Sequence, residues 1–264
     1  GVARMLAKKQ ENIKDLKSAF IPILLPVLVI CGLILPANLS TAAILFVTCI
    51  VLMFIGGVKF RYILALAGIG IVSLALFLTF LVVSPKSSGR LGTWQNRIEN
   101  FGGRGDNDEN FQVEQAKIAI ANGGIVGKLP GNSMQKNFLP NPFNDFIFAI
   151  IIEEYGVIGA LIIILMYLIL LYRGIRIAIK APGNFGALLA IGVTISLIIQ
   201  AFANMAVAVH LVPVTGQPLP LVSMGGTSIW FTSIAIGIIL SVSKEMDEAE
   251  KPQEEPTESE YATV

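Results

Sequence analysis

DFIFAIIIEEYGVIGALIIILMYLILLY, Asp145 to Tyr172, opens on a carboxylate and then runs on with Glu153 and Glu154 as its only further charges. From residue 147 it is apolar over more than the ~20 residues that cross a ~30 Å hydrocarbon core. This span decides the fold class, because five more of its kind accompany it, at 19–35, 41–58, 62–83, 185–209 and 229–242. The chain is therefore expected to be an all-α polytopic membrane protein with six transmembrane helices. Its composition agrees. Of 264 residues, 54% are hydrophobic and only 14% charged, against roughly a quarter charged in soluble domains, and the mean hydropathy is +0.73.

The charges that remain crowd into a few places. Residues 1–17 carry Arg4, Lys8, Lys9, Lys14 and Lys17, a basic juxtamembrane segment that can continue a helix out of a preceding span. Lys and Arg are retained on the cytoplasmic side of short loops. Threading the six spans alternately puts that segment, the Lys59/Arg61 turn, the Arg173/Arg176/Lys180 loop and the C-terminus on one side. The opposite short connections, 36–40 and 210–224, have no Lys or Arg. The large loop 84–144 is then extracytoplasmic and both termini are cytoplasmic. Two domains follow: a membrane domain, 1–243, which includes that loop, and a disordered acidic cytoplasmic tail, 244–264, with eight acids against Lys244 and Lys251. Within the loop, Trp94 and Arg97 lie in an interfacial amphipathic stretch.

A net charge of +1 gives no footing for a nucleic-acid partner. Cys31 and Cys49 lie in apolar runs and make no disulfide framework. No GxxxxGK[ST], CxxC or HExxH occurs, and His210 is the only histidine, which removes His-built metal clusters and makes a Ser-His-Asp triad improbable. The chain begins at Gly1 with no signal-peptide pattern, and an N-terminal truncation is expected.

Three features converge on the extracytoplasmic side. The first is Asp145. Asn144 or Asp145 can cap the coming helix. Equally, an Asp flanked by Phe143, Phe146 and Phe148 is partly desolvated, which raises a carboxylate's pKa and suits it to proton abstraction. Glu153 and Glu154 lie two turns deeper, where acids are costly and a partner is expected, such as an Arg from a neighbouring helix. At ~100° and ~1.5 Å per residue, Glu153 lies about 80° around from Asp145 but ~12 Å along the axis, and Glu154 falls on the opposite face. Glu153 can share a pocket with Asp145 without pairing to it.

The second feature is the basic and amide set Gln112, Gln115, Lys117, Lys128, Ser133, Gln135 and Lys136, punctuated by Gly123, Gly124, Gly127 and Gly131. Glycine there permits tight turns and close backbone approach to a ligand, and Gln135 and Lys136 are placed to hold an anionic or sugar-bearing substrate. An ordinary wet loop has the same composition. The third is 210–230, extended by Pro213, Pro218 and Pro220 and leading into Gly225, Gly226 and Thr227 at a helix N-terminus, an anion site or a close helix-packing seam. In the fifth span Ser196, Gln200 and Asn204 share a face and are expected to bond across the bundle.

Two runs, QAKIAIANGGIVGKLPGNSMQKNFLPNPFNDFIFAIIIEEYGVIG from Gln115 and LVPVTGQPLPLVSMGGTS from Leu211, carry a family resemblance over essentially the whole chain apart from the tail. The chain resembles the SEDS proteins (shape, elongation, division and sporulation), of the FtsW/RodA type and nearest the division branch. The resemblance implies a ten-helix fold of which these are the fifth to tenth helices. It implies a peptidoglycan glycosyltransferase polymerising lipid II with inversion, with Asp145 as the catalytic base. Ser133, Gln135, Lys136, Glu153, Gly225, Gly226 and Thr227 match motif positions and are implied to bind substrate. It also implies a bacterial inner-membrane location at the division septum, and lipid II, a class B penicillin-binding protein and other cell-division proteins as partners. No cofactor is called for, and a divalent cation stays open. Two departures stand out: the family's Q-P-D-L-G-T reads Pro36-Ala37-Asn38-Leu39-Ser40-Thr41 here, and its H-T before the acid reads Phe143-Asn144. Two other classes compete, a flippase moving the same lipid, with Asp145 and Glu153 as coupling acids, and a structural division protein.

Overall fold

The computed structural model describes residues 1–83, 92–96, 108–139 and 141–250, and is helical wherever the described residues have regular structure. In order come α1 (Val2–Lys8), α2 (Ile21–Ile34), α3 (Leu39–Ile55), α4 (Phe60–Val83), a short α5 (92–96), α6 (Asp108–Gly123), α7 (Ile147–Lys180), α8 (Asn184–Ala208) and α9 (Gly226–Glu250). Five of the six expected spans are helices long and apolar enough to cross a bilayer: 16–34, 60–77, 147–180, 184–208 and 226–246. The sixth, α3, has 17 residues, at the lower limit for a span.

Local chemistry sets the helix ends. A π-helical turn, Leu16–Phe20, leads into α2, with Pro22 in its first turn, where the missing N–H costs little, and Pro26 inside the helix. At the start of α3, Asn38 Oδ1 accepts from Thr41 N at 3.1 Å, so the residue standing where the family carries an acid is a helix cap. Asn and Asp are interchangeable in that role. α7 stops at Lys180 because Ala181, extended at φ −59°, ψ 133°, precedes Pro182, which disfavours the helical region for its neighbour.

α8 is the hub, packed against α1, α3, α7 and α9. At its crossing with α7, an added Cβ on Gly174 would stand 2.3 Å from Thr194 Oγ1, so a small residue lets the two backbones meet. The connections sort to two ends. Gln217 bonds Thr41 and Ser223 bonds Asn144 at one end, while Leu6 lies against Gly56 at the other.

Several expectations are corrected. Arg173, Arg176 and Lys180 are not a loop but the last turns of α7, where Arg176 lies 5.9 Å from the Tyr172 ring centroid. Residues 244–250, expected in the disordered tail, continue α9 as a run of good helix formers with an i,i+4 pair, Lys244 to Glu248 at 3.5 Å; the rest of that tail lies outside the described residues. The basic juxtamembrane segment also packs into the bundle. Ala3, Leu6 and Ile13 are buried with Leu52, Met53, Leu188 and Ile191, burial that a charge count cannot reveal. The large loop carries α6 and α5, whose Trp94 packs edge-on against Phe77 of α4 at 5.4 Å; Arg97 lies outside the described residues.

Candidate functional site

α7 is broken at Gly156, which takes φ 69°, ψ −167° inside the helix. The segment after α6 fills the break with its own backbone. Lys128 N and Leu129 N donate to the carbonyls of Glu153 and Glu154, both at 2.9 Å, and Val157 N donates to Gly124 O at 3.0 Å. The groups a helix interruption leaves unpaired are thus satisfied by a neighbouring segment. Such an approach excludes side chains. An added Cβ would stand 2.0 Å from Ile152 O at Gly123, 2.3 Å from Glu154 O at Gly127 and 2.1 Å from Ile125 O at Gly156.

Glu153 sits at this junction with 0% of its surface exposed. Lys128 Nζ donates to its Oε1 at 3.0 Å, Met134 N to Oε1 at 3.3 Å, Gln135 N to Oε2 at 3.2 Å, and Ser133 Oγ also donates to Oε2. The expected partner of this acid is therefore a lysine and a turn of the preceding loop rather than an arginine of a neighbouring helix. The turn is closed further by Lys136 N, which donates to Ser133 Oγ at 3.2 Å, and by Lys136 Nζ, which donates to Gly131 O. Ser133, Gln135, Lys136 and Glu153 form one cluster. Glu154, on the other face, is partly exposed.

Asp145 belongs to a second cluster at the mouth of α7. The N-cap of α7 is Phe146, with no side-chain cap hydrogen bond, so the cap falls one residue beyond Asp145 and two beyond Asn144. Three consecutive carbonyls are held instead. Phe143 O accepts from Met224 N at 2.8 Å, Asn144 O from Ser223 Oγ at 2.6 Å and Asp145 O from Asn204 Nδ2 at 2.9 Å. Asn204 Nδ2 also donates to Gln217 O at 2.7 Å, and Gln200 Nε2 to Pro218 O at 3.2 Å. Two of the three polar residues on that face of α8, Gln200 and Asn204, thus bond to neighbouring segments of the bundle as their spacing predicts. Gly216, at φ +65°, runs beside the acid; an added Cβ there would stand 3.9 Å from Asp145 Oδ2. Tyr167 OH donates to Pro220 O, and Ser223 Oγ accepts from Leu219 N at 2.7 Å.

Gly225 lies near Asn144, with 3.8 Å between an added Cβ and Asn144 Oδ1, whereas Gly226 faces open space and is exposed with Thr227. His210, at φ 58°, is held below the ordinary imidazole range by burial first and by the charge of Lys117 second. Among the described residues, no group of three or more His, Cys, Asp or Glu is placed to hold a metal ion. Sequence reasoning missed Ser223, Gln217 and Thr41 as bonding partners of this region. The amide stripe on α8 was the signal, but it names no acceptor.

An integral membrane bundle with an acid at the mouth of α7, its backbone held by α8 and by the segment between α8 and α9, defines the class. The chain belongs to the family described as cell cycle protein, FtsW/RodA/SpoVE, whose model matches residues 1–248. It is 37% identical to stage V sporulation protein E of Bacillus subtilis strain 168 over 92% of this chain and 65% of that one. It is 38% identical to a probable peptidoglycan glycosyltransferase FtsW of Geobacter metallireducens over 93% and 64%, and 31% identical to peptidoglycan glycosyltransferase MrdB of Escherichia coli K12 over 88% and 60%. The chain thus spans just under two thirds of the length of these relatives. Its fold is similar to a chain of a peptidoglycan synthase complex that coordinates polymerization and crosslinking (TM-score 0.69, 24% identity, 93% of this chain and 68% of that one). It is also similar to an aspartate-to-alanine mutant of the Thermus thermophilus rod shape determining protein RodA (TM-score 0.55, 23% identity, 93% and 64%).

Proposed function

We propose that this protein is a peptidoglycan glycosyltransferase that polymerises lipid II at the outer face of the bacterial cell membrane, both ends of the chain being cytoplasmic, during septal wall synthesis. The observation that carries the reading is Asp145, at the mouth of α7, whose carbonyl and the two before it are each held by a separate donor. A base must be held close to its productive position to act. Relatives at 31% and 38% identity that are named glycosyltransferases support the same reading.

In this mechanism Asp145 takes the proton from the 4-hydroxyl of the acceptor's N-acetylglucosamine. That oxygen attacks the anomeric carbon of the donor's N-acetylmuramic acid, the bond to the diphosphate breaks, and undecaprenyl diphosphate leaves with inversion. Lys136, with Gly225, Gly226 and Thr227 at the start of α9, offsets the leaving diphosphate's charge, while Ser133 and Gln135, buried against Glu153, set the turn that carries Lys136. Glu153 acts by holding that loop. A class B penicillin-binding protein supplies cross-linking, alongside other cell-division proteins. The test is the complete protein in liposomes given lipid II on the outer side only. Glycan product that requires Asp145 supports the polymerase. Lipid movement without product turns the reading to a flippase, and neither outcome leaves a scaffold.

A further inference from the structure

Asn204 lies in the last turns of α8 with 1% of its surface exposed. Both groups facing its amide nitrogen are backbone carbonyls, Asp145 O and Gln217 O, at 2.9 and 2.7 Å. Only the NH₂ end of the amide satisfies two acceptors at once, so the orientation of the side chain follows from its neighbours. Its two N–H groups tie the loop that ends in Asp145 to the extended segment between α8 and α9. The tie continues outward. Gln217 Nε2 donates to Thr41 Oγ1 at 2.9 Å, and Thr41 is itself set by the Asn38 cap of α3. Four elements distant in sequence are thereby joined by one path of hydrogen bonds ending on the backbone of Asp145.

We infer that Asn204 is a positioning residue for Asp145, acting through Gln217 and Thr41 to fix the acid's backbone against the α8–α9 segment. The inference rests on the reading of Asp145 as the base. Mere packing does not account for the arrangement, since an apolar residue of similar volume would fill the site but leave the carbonyls of Asp145 and Gln217 without this donor. The bonds to Asp145 are made to its carbonyl, so they set where the side chain starts from without drawing on its carboxylate. Displacing a catalytic group by about 1 Å costs on the order of 10²-fold in rate, which gives the scale of the effect.

The test is a double-mutant cycle on the complete protein in liposomes, following polymerisation of labelled lipid II. Asn204→Asp keeps the shape but replaces two N–H donors with at most one O–H, so both carbonyls cannot be served at once; Asn204→Ala removes the group outright. Each is expected to lower kcat about 10- to 100-fold with KM within about twofold, and to change the residual rate of Asp145→Ala by less than about twofold, because residues acting as a unit are non-additive. Thr41→Val, at the far end of the path, is expected to give a smaller fall in kcat with the same non-additivity, and serves where the Asn204 variants do not fold. Equal losses in the presence and absence of Asp145, or a loss confined to KM, overturn the inference. Full activity of Asp145→Ala alone instead overturns the reading on which it rests.

Discussion

Two acids on either side of one helix start are held in opposite ways. Glu153 is tied by its carboxylate: Lys128, Ser133 and the backbone N–H groups of Met134 and Gln135 all donate to it, and it has no exposed surface. Asp145 is tied by its main chain, through carbonyls at 143, 144 and 145. A carboxylate that accepts from four donors serves as a fastener, since each bond would have to break before it took up another role. A residue held by its carbonyl can be fixed in place while those bonds leave its side-chain chemistry untouched. Burial and depth alone would have ranked Glu153 as the better functional candidate; with Asp145 proposed as the base, the four donors on Glu153 make it the fastener instead.

The comparison can be broken most directly at Asp145. Asp145→Ala should reduce lipid II polymerisation by about 10²- to 10⁴-fold while the thermal melting point of the purified protein stays close to that of the parent. Normal turnover would end the contrast. Glu153→Ala should act through the fold instead, lowering stability by about 3 kcal/mol through stranded buried donors. That is a fall of roughly 5–10 °C in melting temperature, with new protease cleavage in residues 124–139. If Glu153→Ala melts normally, the fastener reading is wrong. Gly156→Ala tests the junction that Glu153 locks, because the new Cβ would meet Ile125 O at 2.1 Å in a left-handed backbone. A destabilisation of about 2–3 kcal/mol is expected, read by denaturation in detergent. The smallest effect concerns the far end of the path to Asp145. Asn38→Ala should cost about 1 kcal/mol as a lost cap and Asn38→Asp almost nothing, and a large activity change in Asn38→Asp would show that position 38 does more than cap α3.

Much of the bundle is legible in the chain because a bilayer imposes one strong rule, a long apolar helix per crossing. The spans beginning near residues 147 and 185 start where the pattern says, since turn and proline signals flank them. Their ends are less legible. Lys180 and Glu250 lie beyond the apolar runs, where charged residues with good helix propensity let α7 and α9 continue into water. The burial of α1 was hidden for the complementary reason: basic residues dominate the segment 1–17 as a whole while Ala3 and Leu6 do the packing. In the site, the stripe of Gln200 and Asn204 on one face of α8 was readable from spacing, and so was the separation of Glu153 from Glu154. What Asn204 grips was not, because a carbonyl looks the same in every residue and carries no mark in the sequence.

By itself, then, the sequence determined the membrane class, the helix order and the acids worth asking about, because these depend on side-chain polarity and period. Only the tertiary structure decided which groups grip each acid: four donors close on the Glu153 carboxylate, while the carbonyl of Asp145 is held by Asn204. That distinction depends on main-chain groups brought together from α3, α7, α8 and the loops before α7 and α9, and hydrogen bonds to the backbone are set by the fold rather than by residue type. The quoted span opened on Asp145 as a carboxylate at the mouth of a helix, and the fold shows how its backbone is kept there.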